Sequence, residues 1–225
     1  MIYKVNLKTL KVPTWRLGFL LILSGSIGYF LLSRGGWLPA IASFPNFFNS
    51  QSPQPLPPAD PTLNANRSLA SLLGNSIDKR SYAIAIDKSD YRLTLYYQQQ
   101  PVKSYPIVLG GNPIADKRKE GDRATPEGNF RIRDLYPHPS WSKFIWLDYP
   151  SAQSWRNHFH AKLQGEIPWY ARVGSEIGIH GVPNGSDDLI ETRNNWTLGC
   201  ISLKNEDVDE LYAVLQVGNR VEIVP

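Results

Sequence analysis

A histidine and the only cysteine of the chain lie 20 residues apart, and both residue types serve in nucleophilic catalysis. His180 follows the short strand-like run 176–179, and Cys200 opens the next apolar run. A free thiol has a pKa of about 8.5 and is only a few per cent thiolate at neutral pH, so it needs a base to take its proton. If the two strands are neighbours in one sheet, His180 can serve as that base for Cys200.

A glycine lies beside each candidate residue. Gly181 follows the histidine, and Gly199 precedes the cysteine, where it lets a substrate approach closely. The backbone N–H groups of Gly199 and Cys200 are candidate donors to an oxyanion. The competing interpretation of a lone cysteine is a small buried hydrophobic residue.

The remaining histidines, His138, His158 and His160, are the competitors of His180. His158 and His160 fall on different sides of a predicted helix, and we interpret these two as surface or packing residues. No Cys/His cluster has the spacing of zinc ligands, so we expect no metal and no cofactor.

The N-terminal region has the pattern of a membrane segment. Residues 17–32 carry no charge, four basic residues precede them, and tryptophans stand at positions 15 and 37. We predict a cytoplasmic basic N-terminus at 1–16 and a transmembrane signal-anchor at 17–37. A cleaved signal peptide is the alternative, since residues 40–42 read Ala-Ile-Ala. Both interpretations place the rest of the chain outside the cytoplasm.

Composition and charge divide the chain beyond the anchor into two parts. Residues 38–80 are rich in Pro, Ser and Asn and predict a disordered linker, whereas 81–225 have the apolar content of one globular domain. The chain has a net charge of +4, but the first 80 residues hold 8 Lys/Arg and 2 Asp/Glu, which leaves 16 and 18 for the remainder. A slightly acidic globular domain gives no support to nucleic-acid binding.

Strands outnumber helices in the globular part. Alternating apolar residues at 82–86, 92–97 and 102–109, separated by turns, predict a three-stranded meander. An apolar stripe predicts a helix at 151–163, and Asn205 with the acidic residues after it predicts the start of a second one. We therefore expect a mostly-β sandwich or partly open barrel with small helices. Further strands are predicted at 129–133, 144–147, 176–179, 201–203 and 220–224.

Two sequence blocks carry a specific resemblance. Ile177-Gly-Ile-His-Gly181, followed by Trp196-Thr-Leu-Gly-Cys-Ile-Ser-Leu203, resembles the active-site signature of the L,D-transpeptidase catalytic domain, the YkuD type. Gly121-Asp-Arg-Ala-Thr-Pro-Glu-Gly-Asn-Phe130 is similar to that family's Thr-Pro-x-Gly-x-Phe segment. The opening meander has the family's layout as well. The resemblance covers residues 81–225.

The resemblance implies an enzyme that acts on cell-wall stem peptides. Cys200 would be the nucleophile and His180 the base, with the Gly181 carbonyl orienting the imidazole and backbone N–H groups around Gly199 holding the oxyanion. A thioester with a stem tetrapeptide would form, D-alanine would leave, and an amine would take the acyl group. Thr197, Trp196 and Ser202 would contact substrate. The partners implied are peptidoglycan stem peptides and, through the anchor, the bacterial cytoplasmic membrane, with the catalytic domain in the periplasm or cell exterior.

Several alternatives stay open at this level. Many family members carry Arg two places after the cysteine, where this chain has Ser202. Hydrolysis of the thioester, as in a cysteine amidase or L,D-carboxypeptidase, competes with transfer, and a non-catalytic wall-binding module is a third interpretation. The basic residues at 117–119 would bind acidic wall material or be merely solvated. The Cys200/His180 pair would rest either as an ion pair or as a neutral pair.

Overall fold

The computed structural model describes residues 26–39, 53–73 and 78–225. The predicted cytoplasmic N-terminus 1–16 and residues 17–25 of the predicted anchor lie outside these ranges, as do residues 40–52 and 74–77 of the predicted linker. Residues 26–34 are helical. Within the described ranges, we find no helix that combines the length and the apolar character needed to cross a membrane.

The domain is mostly β, as predicted. From residue 69 onwards, four α-helices of the described ranges accompany the strands: α1 (Leu69–Leu73), α2 (Ala152–Leu163), α3 (Asp188–Glu191) and α4 (Asn205–Val214). The eight strands are β1 (Tyr82–Asp87), β2 (Arg92–Tyr97), β3 (Gln100–Pro106), β4 (Gly128–His138), β5 (Ser142–Leu147), β6 (Gly178–His180), β7 (Ile201–Ser202) and β8 (Arg220–Val224).

All eight strands belong to one sheet in the order β3-β2-β1-β8-β4-β5-β6-β7. The predicted meander forms its first part, and β8 is inserted between β1, to which it is parallel, and β4, to which it is antiparallel. Just beyond β3, Val108 exchanges two backbone hydrogen bonds of 2.9 Å with Ser202 of β7. The two edges of the sheet therefore meet, and the fold is a curled, partly open barrel rather than two packed sheets.

Alternation along the strands builds the core. In β1 the side chains of Tyr82, Ile84 and Ile86 are buried, while the residues between them are half-buried. Val208 and Leu211 of α4 are fully buried, and this helix packs against β5. Each such aliphatic side chain contributes about 1.5–3 kcal/mol when it leaves water. The helix and the core beneath it fix the part of the sheet that carries β6 and β7.

Residues 53–73 depart from the prediction of a disordered linker. The Pro57 carbonyl accepts from the Tyr96 hydroxyl at 2.6 Å, the Leu63 carbonyl accepts from the Ser104 amide at 3.0 Å, and Leu69 is buried in the core. The edge strand β3 presents unpaired backbone groups, and this segment satisfies one of them. Low apolar content predicted disorder, but the free sheet edge gives the segment backbone partners that composition does not reveal.

Candidate active site

The imidazole of His180 is held at the end of β6 by aromatic rings. His180 pairs with Phe144 across the sheet, and the two rings stack with centroids 5.8 Å apart at 8°. Trp141 stacks at 4.4 Å, and Trp196 presents its edge at 5.5 Å. His180 is 2% exposed. The rings fix the plane of the imidazole and keep water from most of its surface.

One hydrogen bond sets the tautomer of His180. Its Nδ1 lies 2.7 Å from the carbonyl oxygen of Gly181, the acceptor expected from the resemblance. A carbonyl cannot donate, so Nδ1 carries the proton in the neutral ring and Nε2 is the basic nitrogen. Burial lowers the pKa of His180 from 6.5 to about 4, although the bond to Gly181 acts in the opposite direction. The ring is therefore neutral at pH 7.

Cys200 lies immediately before β7, on the same face of the sheet as His180. The parallel register places Ile201 beside Ile179 and Ser202 beside His180, which sets Cys200 alongside Gly178. Side chains two residues apart on a strand point to the same face, so the thiol and the imidazole are diagonal neighbours. Both line one cavity of about 740 Å³. The structure thus brings the two predicted residues together.

The thiol of Cys200 is half-buried and protonated at rest. Its Sγ donates to the Glu176 carbonyl at 3.5 Å. Burial raises the pKa of Cys200 to about 11, against smaller lowering effects from the Gly178 N–H and the charge of Lys117. With His180 also neutral, the resting pair is thiol and imidazole rather than an ion pair.

The turn before the cysteine is fixed by Thr197. Its hydroxyl donates to the Cys200 carbonyl at 2.7 Å and accepts from the Gly199 N–H at 3.2 Å. The Thr197 carbonyl accepts from the Gly111 amide at 3.1 Å. Thr197 is nearly buried, while Trp196 and Leu198 beside it also line the cavity. Because Thr197 already holds the Gly199 N–H, that group is not the free oxyanion donor expected from the sequence.

Gly199 is required for the close packing of this turn. Its φ is +134°, and a Cβ built there would lie 2.6 Å from the Ala124 carbonyl oxygen. Ala124 belongs to the second signature block of the sequence, Gly121 to Phe130. The Gly121–Phe130 segment, distant in sequence, therefore packs directly against the turn that carries the cysteine.

Ser202 does not fit the substrate-contacting role predicted for it. Its side chain is 0% exposed, and its hydroxyl donates to the Gly181 carbonyl at 3.1 Å. A substrate in the cavity has no exposed atom of Ser202 to touch. The short side chain is instead buried at the position paired with His180, where it is hydrogen-bonded to the carbonyl that orients the ring.

Other charged and aromatic residues of the site were not identified from the sequence. Trp141 and Phe144 enclose His180, yet in the sequence they look like ordinary strand and turn residues. Lys117 is 4% exposed and pairs with Asp122 at 2.8 Å, so it is neither solvated nor free on the surface. The short sequence separation of Lys117 and Asp122 is compatible with an ion pair, but the pair can be recognised only from the fold of the turn between them.

The remaining histidines divide between cavity, core and surface. His138 lines the cavity and stacks on Trp141 at 4.3 Å. His158 is fully buried with Nδ1 2.6 Å from the Arg118 carbonyl, and His160 is exposed. In the described ranges, no group of three or more His, Cys, Asp or Glu side chains is arranged to hold a metal ion.

Comparison with known proteins places this fold and site in a family. Residues 81–223 match the L,D-transpeptidase catalytic domain family, YkuD. The chain therefore belongs to that family. A Bacillus licheniformis protein named "Putative L,D-transpeptidase YkuD" is 29% identical over 180 residues, which is 76% of this chain and 86% of that one.

Solved structures of lower identity are also similar. The cell shape determining protein Pgp2 of Campylobacter jejuni is 23% identical with a TM-score of 0.44, over 64% of this chain and 47% of that one. L,D-transpeptidase 3 of Mycobacterium tuberculosis, in complex with a faropenem-derived adduct, is 12% identical with a TM-score of 0.43, over 64% and 60%. This chain spans about half to three fifths of the length of these two proteins.

Proposed function

We propose that the domain is a cysteine-dependent L,D-transpeptidase that acts on peptidoglycan stem peptides. The observation that carries the proposal is the placement of Cys200 and His180 on one face of the sheet, at one cavity, with Nδ1 of the ring held by Gly181. Membership of the YkuD family supports it. In this proposal the chain is exported, its N-terminal segment anchors it to the bacterial cytoplasmic membrane, and the cavity faces the periplasm or cell exterior.

The first half-reaction forms a thioester. His180 Nε2 takes the thiol proton as Sγ attacks the scissile carbonyl carbon, because a thiol with a pKa of about 11 is not ionised beforehand. The Cys200 N–H is the assigned oxyanion donor, since the Gly199 N–H is engaged by Thr197. When the C–N bond breaks, the imidazolium gives its proton to the leaving D-alanine amine. The acyl group remains bonded to Sγ of Cys200 as a thioester.

The second half-reaction releases the acyl group. An acceptor amine attacks the thioester carbonyl, His180 takes the amine's proton, and the C–S bond breaks. The sulfur then recovers the proton from the ring, so the enzyme returns to its neutral pair. Trp196 and Thr197 line the cavity in which donor and acceptor would meet. Water in place of the amine gives hydrolysis by the same route.

Product analysis tests this proposal. The full-length protein is incubated with a defined stem tetrapeptide and products are identified by mass. We expect cross-linked dimers and free D-alanine, and none of either with Cys200→Ala. If shortened tripeptide is the only product, the domain is a hydrolase. An enzymatic function would be contradicted if the stem is unchanged and neither a penem nor a carbapenem forms a covalent adduct.

A further inference from the structure

The cavity beside Cys200 has an uneven distribution of charge. Among the described residues that line it, Lys117 is the single lysine or arginine, and Glu120 and Glu176 are the carboxylates. Arg172 neutralises Glu120 through two contacts of 2.8 Å. Lys117 is therefore the one fixed cation among the described lining residues, and it is itself paired with Asp122.

Lys117 is held in place by a turn built around Asp122. The lysine side chain is 3% exposed, and its Nζ lies 2.8 Å from Asp122 Oδ1. Asp122 also accepts from the backbone amides of Arg118, Lys119 and Ala124 at 2.7, 2.9 and 3.1 Å. An ammonium has three N–H donors, and within the described part of the chain Asp122 is its one hydrogen-bond acceptor. The remaining donors have no acceptor among the described residues, and Lys117 lines the cavity, so a ligand bound there is the partner assigned to them.

The loop that carries Lys117 is itself fastened to the sheet. Lys88 donates to the carbonyls of Ile114 and Ala115 at 3.4 and 2.9 Å and to the Glu127 carboxylate at 2.7 Å. A cation held this way loses little freedom when it binds a ligand, so the contact forms at low entropic cost. The arrangement is that of a preorganised anion-binding residue.

We propose that Lys117 binds a free carboxylate of the stem peptide beside the scissile carbonyl. The inference rests on the proposed function, because it concerns the substrate of the same cavity. A tetrapeptide that ends in diaminopimelate and D-alanine offers two such groups: the C-terminal carboxylate and the one on the second centre of diaminopimelate. Lys117 and Cys200 line the same cavity, and the charge of the lysine contributes a small lowering of the pKa of Cys200.

Amidated substrates test the proposal. Thioester formation at Cys200 is followed by intact mass with three synthetic stems: one unmodified, one with the D-alanine carboxamide, and one with the carboxamide on the second centre of diaminopimelate. We expect the wild-type kcat/KM to fall about 10–100-fold for one of the two amides, the range of a charge-assisted hydrogen bond. That amide identifies the carboxylate. On the unmodified stem, the kcat/KM of Lys117→Met should be lower than that of the wild type by the same factor. This variant should discriminate little between the stems, because removing the ammonium and amidating the carboxylate abolish the same contact.

Matched variants separate binding from folding. Lys119→Met removes a charge from the same loop at a residue that does not line the cavity, and should behave as wild type. Lys117→Arg should keep the discrimination. If Lys117→Met fails to fold because it leaves Asp122 unpaired, the double variant Lys117→Met/Asp122→Asn removes both charges and takes its place.

The possible failures are distinct. Equal wild-type rates on all three stems, or full discrimination in the variant without the lysine charge, would overturn the role of Lys117 and leave the proposed function standing. If the wild-type protein forms no thioester with the unmodified stem, the proposed function fails and this inference fails with it.

Discussion

The hydroxyl of Ser202 donates to the carbonyl oxygen of Gly181 at 3.1 Å. The same oxygen lies 2.7 Å from Nδ1 of His180, so one carbonyl joins the buried serine to the ring. A carbonyl oxygen has two lone pairs and can accept both bonds. Ser202 thereby holds the group that orients the proposed base, from a position that a substrate does not reach.

Removal of the Ser202 hydroxyl should slow acylation without unfolding the domain. In Ser202→Ala the Gly181 carbonyl loses one of its two donors, and we expect about a tenfold lower rate of thioester formation, the cost of one neutral hydrogen bond. The effect should fall on kcat rather than KM, because the hydroxyl does not face the cavity. Ser202→Thr retains the hydroxyl and should recover most of the rate. Equal rates for the alanine variant and wild type would remove Ser202 from this role.

The pH dependence of alkylation tests the neutral resting pair. Because burial raises the pKa of Cys200 to about 11, the thiolate fraction near pH 8 is about 10⁻³. The rate of reaction with iodoacetamide should therefore rise about tenfold per pH unit from pH 7 to 10. His180→Ala should leave this profile nearly unchanged. A plateau of high reactivity near neutral pH in the wild type would instead indicate a preformed thiolate–imidazolium pair.

Acid stability should report the burial of His180. Its folded-state pKa is lowered from 6.5 to about 4, so the unfolded chain binds a proton first as the pH falls. The contribution of neutral, buried His180 to the free energy of unfolding is therefore fully present above pH 6.5. It falls by about 3 kcal/mol as the pH is lowered towards 4. Denaturant unfolding of the wild type and of His180→Gln at pH 7 and pH 4 measures this loss of unfolding free energy. The variant should lose about 3 kcal/mol less between the two values; an equal loss in both proteins would exclude His180 as the cause.

The turn before Cys200 depends on Gly199. In Gly199→Ala a methyl group meets the Ala124 carbonyl at 2.6 Å while φ remains positive, and we expect a loss of about 2–4 kcal/mol in unfolding free energy together with lost acylation. Gly185 is the matched control, because it too has a positive φ but nothing within 4 Å of a built Cβ. Gly185→Ala should cost only about 1 kcal/mol. Similar losses for both variants would refute the steric argument.

Local patterns in the sequence predicted the elements well. The 92–97 and 220–224 strands have the predicted bounds, and α2 begins at Ala152 with Ser151 as its capping residue, one residue from the prediction. These features depend on residues close in the chain, such as a turn between alternating runs or a hydroxyl at a helix start. The predicted 102–109 strand ends early because Pro106 cannot donate to a ladder.

Long-range pairing explains what local patterns missed. Nothing near Ser202 reveals that β7 lies parallel to β6, and this register pairs Ser202 with His180 and brings its buried hydroxyl to the Gly181 carbonyl. Similarly, the sequence left Lys117 either as a ligand for acidic wall material or as a solvated residue, and only the fold places it against Asp122 at the cavity wall. The residue types and the signature predicted that Cys200 and His180 lie together, and their catalytic role stays a prediction. The residues that surround the pair could be identified only from the three-dimensional arrangement.

Intact-mass measurement of the acyl-enzyme tests the central claim most directly. The full-length protein is mixed with a stem tetrapeptide and quenched in acid at short times. We predict a mass increase equal to the stem minus D-alanine, its absence in Cys200→Ala, and a rate lower by about 10²–10⁴ in His180→Ala, the range of a general base. An adduct that persists in Cys200→Ala, or an unchanged rate in His180→Ala, would contradict the account.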